Sequence, residues 1–435
     1  MDIKKLMKFD SGDKKTLTAV ISVCVAFVLL FGGVISAVLL IGRDGEKEEK
    51  PEVEFSDVRG VWIASVSNID FPSSPDLSEK ELKEELDSIV ETVGGAGLNT
   101  VFFQVRPCSD ALYASDIFPV SKYISTDGTL PLDALEYLVE KAHEKNIAVH
   151  AWINPLRVAA GGETGDLAEK NPARQNPSLT VKYADGKIYY DCGRGEVIDL
   201  VCDGVREIVE NYAVDGIVFD DYFYPYPVYV TEDDGTKHIA EFDDGDTYAE
   251  YGKDYEDIGD WRRSNVNRLV KSVYETVKEA DSDCLFGIAP FGIWKNGYGD
   301  ESGSETRGSQ SYYDIYCDTL AWVEGGYVDY IAPQIYWRDV DSAAPYDVLC
   351  DWWDAMVKEK NTDVRLLISH AAYRYEEDWE NPQGIMTSQL TYASEKEMYR
   401  GSIFYGYGEI ESNLHGITDE IIAFYAGKES DVSQE

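Results

Sequence analysis

The stretch DGIVFDDYFYPYP (residues 215–227) opens with a turn, runs as a short apolar segment and stops abruptly in acids and aromatics. Asp215 and Gly216 suit a helix-to-strand turn. Ile217 to Phe219 favour a strand, and Asp220 and Asp221 stand where that strand must end. The same pattern recurs along the chain as RGVWIASVSN (59–68), NTVFFQVRP (99–107) and IAVHAWINP (147–155). It returns as CLFGIAPFGIW (284–294), VDYIAPQIYW (328–337), VRLLISHAAYR (364–374) and GSIFYGYGE (401–409). Amphipathic stretches separate these runs. Ser78 and Glu81 have capping-box spacing, followed by Leu82, Leu86, Ile89, Val90 and Val93 on one stripe. Leu132, Leu135, Leu138, Val139 and Ala142 repeat the pattern after the second run.

Near-continuous apolar strands alternating with helices predict a parallel sheet covered on its faces. Eight such units between residues 56 and 427 favour a closed (β/α)8 barrel over an open doubly wound sheet. No GxGxxG follows the first run, and no phosphate-binding GxxxxGK motif occurs, so a nucleotide-binding fold loses support. In such a barrel the chemistry belongs at the C-terminal ends of the strands. Period-two alternation puts Gln104 and Arg106 on one face of strand two, and His150, Trp152 and Asn154 on one face of strand three. It likewise pairs Val218 with Asp220 and Gln334 with Tyr336.

Residues 16–42 carry no charge and are rich in Leu, Val and Ile, enough for a helix to cross a bilayer. Lys4, Lys5, Lys8, Lys14 and Lys15 precede them, which predicts a cytoplasmic tail (1–15) and a catalytic domain outside the cell membrane. The rival is a signal peptide, whose apolar core is usually shorter and followed by a small-residue cleavage site. Residues 43–55 read as a polar linker and 428–435 as a frayed acidic tail.

The formal net charge of −42 excludes a nucleic-acid partner, which would need a surplus of Lys and Arg. Thirty Tyr, 9 Trp and 15 Phe supply more aromatic surface than a core needs, as in proteins that hold sugars by stacking. The seven cysteines have no zinc or CxxC spacing and read as buried small hydrophobes. The acidic loop 231–260 lacks the ligand spacing of an EF-hand and reads as a solvated lid or rim insertion. Neither a metal nor a cofactor is implied.

Hydrolysis of a glycosidic bond needs a carboxyl to protonate the leaving oxygen and a second group to stabilise the anomeric centre. Asp220 and Asp221, ringed by Tyr222, Phe223, Tyr224 and Tyr226, are the candidates. Adjacent carboxylates in an apolar mouth drive each other's pKa apart. The bland alternative is a turn cap or an arginine partner. Asp70, Asp339 and Glu409 also lie near strand ends and could supply a missing partner. Trp62, Trp152, Trp294 and Trp337 are candidate stacking residues, while Arg262 and Arg263 open a helix and read as rim ion pairs, with Arg263 reaching into the site as the alternative.

RGVWIASVSNIDFP, NTVFFQVRP, HAWINPLR, DGIVFDDYFYPYP, WRRSNVN, FGIAPFGIW and DYIAPQIYW resemble, in order, the motifs of the bacterial glycosyl-hydrolase-like ten family, also called domain of unknown function 187. That group includes a divisome-localised glycosidase acting on peptidoglycan strands stripped of their peptides. The resemblance spans roughly residues 58–427 and implies a TIM-type barrel, a glycan substrate and Asp220 and Asp221 as the catalytic pair. It also implies Asn68, Asp70, Arg106, Asn154, Gln334, Tyr336 and Trp337 as cleft residues. Phe71 stands where the family motif usually has Trp, implying a weaker stacking contact. The Phe-Asp-Asp arrangement is similar to families that use the substrate's own acetamido group. By that likeness Asp220 would steer the group, Asp221 would act as the acid and Tyr336 would hold the acetamido oxygen. A conventional retaining pair, with Asp220 as nucleophile, is the alternative. A carboxyl separation of roughly 5–5.5 Å would mark retention, and roughly 6.5–9.5 Å inversion. A catalytically lapsed barrel that only binds glycan, and a hydrolase of another polysaccharide, are the rival functions.

Overall fold

The computed structural model describes residues 55 and 57–432, except 233, 299–301, 362 and 378–380. The expected cytoplasmic tail, membrane anchor and nearly all of the polar linker lie outside the described residues. Among those described, no helix is long and apolar enough to cross a membrane.

Eight parallel strands close into a barrel: β1 (Val58–Ile63), β2 (Thr100–Arg106), β3 (Ala148–Ile153), β4 (Gly216–Phe219), β5 (Leu285–Ile288), β6 (Tyr330–Ile331), β7 (Arg365–Ala371) and β8 (Tyr399–Tyr405). Each strand hydrogen-bonds to its neighbours in sequence, and β8 closes on β1. A helix follows each strand: α1 (Glu79–Gly95), α2 (Ala134–His143), α3 (Gly195–Asn211), α4 (Ile258–Ala280), α5 (Thr319–Gly325), α6 (Tyr346–Lys360), α7 (Ile385–Ser394) and α8 (Ile417–Val432). The expected (β/α)8 barrel is the observed one. Ser78 and Glu81 form the capping box of α1, and its predicted apolar stripe is buried. Asp215 sits at the foot of β4, where its carboxylate accepts from the Val149 N–H (2.7 Å) and meets His143 Nε2 (3.0 Å).

Large and small residues fill the interior by alternation between adjacent strands. His150 of β3 is paired with Gly216 of β4, and Tyr330 of β6 with Gly287 of β5. A Cβ at Gly287 would lie 2.0 Å from the Tyr330 ring, and one at Gly216 2.4 Å from His150. The two rings are joined by a 2.8 Å bond between His150 Nδ1 and the Tyr330 hydroxyl. Phe55 packs on both, 5.8 Å and 5.0 Å between ring centroids, so the polar linker ends one residue earlier than the sequence suggested.

Four further local readings need correction. The sixth run is a strand only at Tyr330–Ile331, because Pro333 has no N–H for the ladder; Gln334 then bridges to Phe291 and Ser369 on either side. The register of β2 against β3 slips between Gln104 and Arg106. This bulge inverts the alternation, so Gln104 points into the barrel while Arg106 faces the helix layer. The last helix continues to Val432, since nothing from Lys428 onward breaks it. The acidic loop is not wholly solvated: Asp244 within it is buried against Arg262, with contacts of 2.9 and 2.5 Å. Of the six described cysteines, five are buried.

Candidate active site

At the C-terminal mouth of the barrel lies a cavity of about 320 Å³, walled by Trp62 and Trp152 and rimmed by Gln104, Arg157, Asp220, Tyr222, Gln334, Tyr336, Tyr373 and Tyr405. Asp220 reaches it because the alternation that buries Val218 inside the barrel turns the next inward residue into the mouth.

A chain of hydrogen bonds ends on Asp220. The backbone N–H groups of Ser65 and Val66 donate to Gln104 Oε1 (2.9 and 2.8 Å), and Gln104 Nε2 donates to Asn154 Oδ1 (2.6 Å). Asn154 Nδ2 then donates to Asp220 Oδ2 (2.5 Å), which also accepts from Trp152 Nε1 (3.0 Å). The Tyr222 N–H donates to Oδ1 (3.1 Å). Arg157 fixes the same network, giving Nη2 to Asn154 Oδ1 (2.6 Å) and Nε to the Pro107 carbonyl (2.8 Å). Every donor points toward Asp220, so the polarised chain favours its carboxylate form.

Asp221 has a different environment. It accepts from the Tyr226 hydroxyl and lies beside Gln334. Burial, and then the charge of Asp220, push it up to about 7. Burial also pushes Asp220 up, opposed by Arg157, the Tyr222 N–H, Asn154 and Trp152. Two buried neighbouring carboxyls share one proton near neutrality, and the donors place it on Asp221. Across the cavity the Tyr336 hydroxyl lies 3.2 Å from Ser369 Oγ, which accepts from Trp62 Nε1 (3.0 Å). The Tyr336 ring stacks on Tyr405, 6.1 Å between centroids.

The structure thus gathers Asp220, Trp152, Tyr222, Gln334 and Tyr336 at one cavity, with Asn154 and Asp221 immediately beside Asp220. Other sequence-predicted site residues go elsewhere. Asn68 Nδ2 ties its own loop to the carbonyls of Pro72 and Tyr123, 2.8 Å each. Asp70 accepts from the Ala64 N–H (2.7 Å) and lines a separate acidic hollow beside α1, where burial lifts it to about 7. Arg106 is buried under α3, its guanidinium 4.2 Å from the Phe118 ring, for want of the alternation that the bulge removes. Tyr224 is buried and lines a different hollow. Trp337 packs edge-on against Phe291, and Trp294 stacks on Trp352. Phe71 is wholly buried against Phe103, so it offers no stacking surface. Arg262 and Arg263 make the expected ion pairs, with Asp244 and Asp260.

Sequence reasoning did not single out Arg157, Tyr373 or Tyr405. Arg157 stands three residues past Asn154, beyond Pro155, and only its bond to Asn154 reveals its purpose. The tyrosines did carry a signal, since each stands at the end of an apolar run.

The family model of glycosyl hydrolase-like 10 proteins matches residues 57–384. The glycosyl hydrolase YngK of Bacillus subtilis is 40% identical over 374 residues, covering 84% of this chain and 71% of that protein. The glycosyl hydrolase DigH of Escherichia coli is 38% identical over 345 residues, covering 74% and 76%. Among solved structures, the PgaB (BpsB) glycoside hydrolase domain of Bordetella bronchiseptica superposes with a TM-score of 0.55 at 12% identity, covering 85% of this chain and 98% of that one. The catalytic domain of a β-amylase from Paenibacillus polymyxa gives 0.52 at 10% identity, covering 86% and 99%. At such identities these two share the fold alone. The barrel, its carboxylate-bearing mouth and the curated relatives agree: the chain belongs to the glycosyl hydrolase-like 10 family and is a glycosidase.

Proposed function

We propose that this glycosidase cleaves peptide-free peptidoglycan strands outside the cytoplasmic membrane, held there by residues 16–42, with Asp220 and Asp221 as its working carboxylates. The observation that carries the reading is the asymmetric pair at the mouth. Asp220 is held by three N–H donors and the field of Arg157, while its neighbour Asp221 retains a proton to about pH 7. Environments that push two carboxyls apart identify the anion and the acid. Asp220, facing the cavity, accepts the N–H of a 2-acetamido group and turns its oxygen toward the anomeric carbon. Tyr336 donates to that oxygen, and Asp221 protonates the leaving oxygen after its carboxyl swings away from Tyr226. Hydrogen bonds at an unliganded site commonly rearrange when substrate binds, so the Tyr226 contact is compatible with this role. The N-acetylated sugars of peptidoglycan, the likeness to a family with a peptidoglycan-acting member, and the apolar anchor-like run support the substrate and place.

The test incubates the protein with purified peptide-free strands and with intact peptidoglycan, beside Asp220→Asn and Asp221→Asn, and reads products by mass spectrometry. Muro-oligosaccharides from the wild type, with losses on the order of 10²–10⁴ in either variant, are expected. Full activity in Asp221→Asn would overturn the acid assignment. Binding without cleavage by the wild type would instead indicate a lapsed, glycan-binding barrel.

A further inference from the structure

Among the residues that line the catalytic cavity two carry charge, Asp220 and Arg157. Arg157 is buried, 8% exposed, yet both of its fixed partners are neutral oxygens. Nε donates to the Pro107 carbonyl (2.8 Å) and Nη2 to Asn154 Oδ1 (2.6 Å), with the Tyr222 ring 5.0 Å from the guanidinium. Nη1 makes no hydrogen bond or ion pair among the described residues, and it is not sealed from solvent. Asp220 does not occupy it, because the two charges meet only through Asn154. A largely buried guanidinium with a donor to spare is poised for an anion, and a carboxylate matches its planar fork.

The place of that guanidinium selects which anion. Asn154 accepts from Arg157 Nη2 and donates to Asp220 Oδ2 (2.5 Å), so the cation stands one amide group away from Asp220. In the mechanism proposed above, Asp220 takes the acetamido N–H on C2 of the sugar. The substituent beside it is the one on C3, whereas the carboxylate of a uronic acid, borne on C5, leaves the opposite side of the ring. In N-acetylmuramic acid C3 carries an ether-linked lactate, an arm short enough to stay beside the acetamido group. A cavity of about 320 Å³ lies at the small end of ligand pockets and suits one such ring with its substituents rather than a length of strand.

We propose that Arg157 is a specificity-determining residue: it pairs with the free lactyl carboxylate of an N-acetylmuramic acid ring whose acetamido group rests on Asp220. The inference rests on the proposed reading of this site and deepens it in two ways. The bond cleaved is the one at the anomeric carbon of the muramic ring, so water adds its hydroxyl there and the leaving oxygen keeps the proton from Asp221. The new reducing end is therefore muramic. Preference for peptide-free strands also gains a cause, because a stem peptide converts the same carboxyl into a neutral amide that cannot form the ion pair.

The test compares peptide-free strands with the same strands after their lactyl carboxyls have been converted to methylamides. Binding is measured in Asp221→Asn, so that cleavage does not intervene, and again with Arg157→Gln or Arg157→Lys added. Asp221→Asn should prefer the free carboxylate by about tenfold to a hundredfold. The preference should vanish with Arg157→Gln. It should drop by about threefold or more with Arg157→Lys, since an ammonium cannot reproduce the fork that holds Asn154 and a carboxylate together. Arg157→Lys thus carries the comparison should the glutamine variant not fold. Wild-type products, reduced with borohydride and read by mass spectrometry, should end in the alcohol of muramic acid. Equal binding of the two strands by Asp221→Asn, a preference undiminished in either arginine variant, or products ending in the alcohol of N-acetylglucosamine would each overturn the assignment and leave the hydrolase reading standing. A wild type that neither cleaves nor binds strands of either kind would instead sink the peptidoglycan reading, and this contact with it.

Discussion

Replacing Arg157 with glutamine should move the pH profile of the enzyme toward alkali. Arg157 reaches Asp220 through Asn154, by bonds of 2.6 Å and 2.5 Å in series. That places the guanidinium and carboxylate charges about 6 Å apart, worth roughly 3 kcal/mol at an effective dielectric near 20, or about two pH units. Glutamine can keep the bond to Asn154 while discarding the charge, and water entering the gap screens part of the loss. The expected shift is therefore about one to two units. Its sign follows from the pair: removing a cation makes each deprotonation harder, so the acid limb from Asp220 and the alkaline limb from Asp221 both rise. In the wild type the alkaline limb should fall near pH 7, where Asp221 loses its proton. The assay is kcat/KM on soluble peptide-free strands between about pH 4 and pH 9. An alkaline limb that stays in place, or moves toward acid, would refute the account of Arg157 and of the shared proton.

Two further outcomes follow from the same structure. Asp221→Asn should cut turnover by a factor on the order of 10²–10⁴ yet raise thermal stability at pH 8. The wild-type carboxyl is raised from its ordinary value to about 7, so its contribution is greatest at acid pH and is lost as pH climbs toward 7. The gain, at most about 4 kcal/mol, should disappear near pH 4, and a variant no more stable than wild type at pH 8 would contradict the burial argument. Gly287→Ala should destabilise the barrel by roughly 3 kcal/mol or more, read as a lower midpoint in urea, because its methyl would strike the fully buried Tyr330 ring. A stability within about 0.5 kcal/mol of wild type would mean that the interior can repack.

The eightfold alternation of apolar runs and amphipathic helices, the α1 capping box and Asp220 at a strand end were all legible in the sequence. Each depends on periodicity or on neighbours a few residues apart, and those are properties of the chain itself. Which polar residues meet was decided only by the tertiary structure. One bulged residue in β2 turned Arg106 from the mouth to the helix layer, and the missing N–H of Pro333 cut β6 to two residues. Asn68 and Asp70 satisfy the backbone of their own loop, a duty that no motif distinguishes from holding a substrate. Arg157, Tyr373 and Tyr405 lie far apart along the chain and share a cavity only because strands three, seven and eight close into a barrel. The sequence determines the local periods; closure and register, set by packing across the whole sheet, determine what each strand end faces.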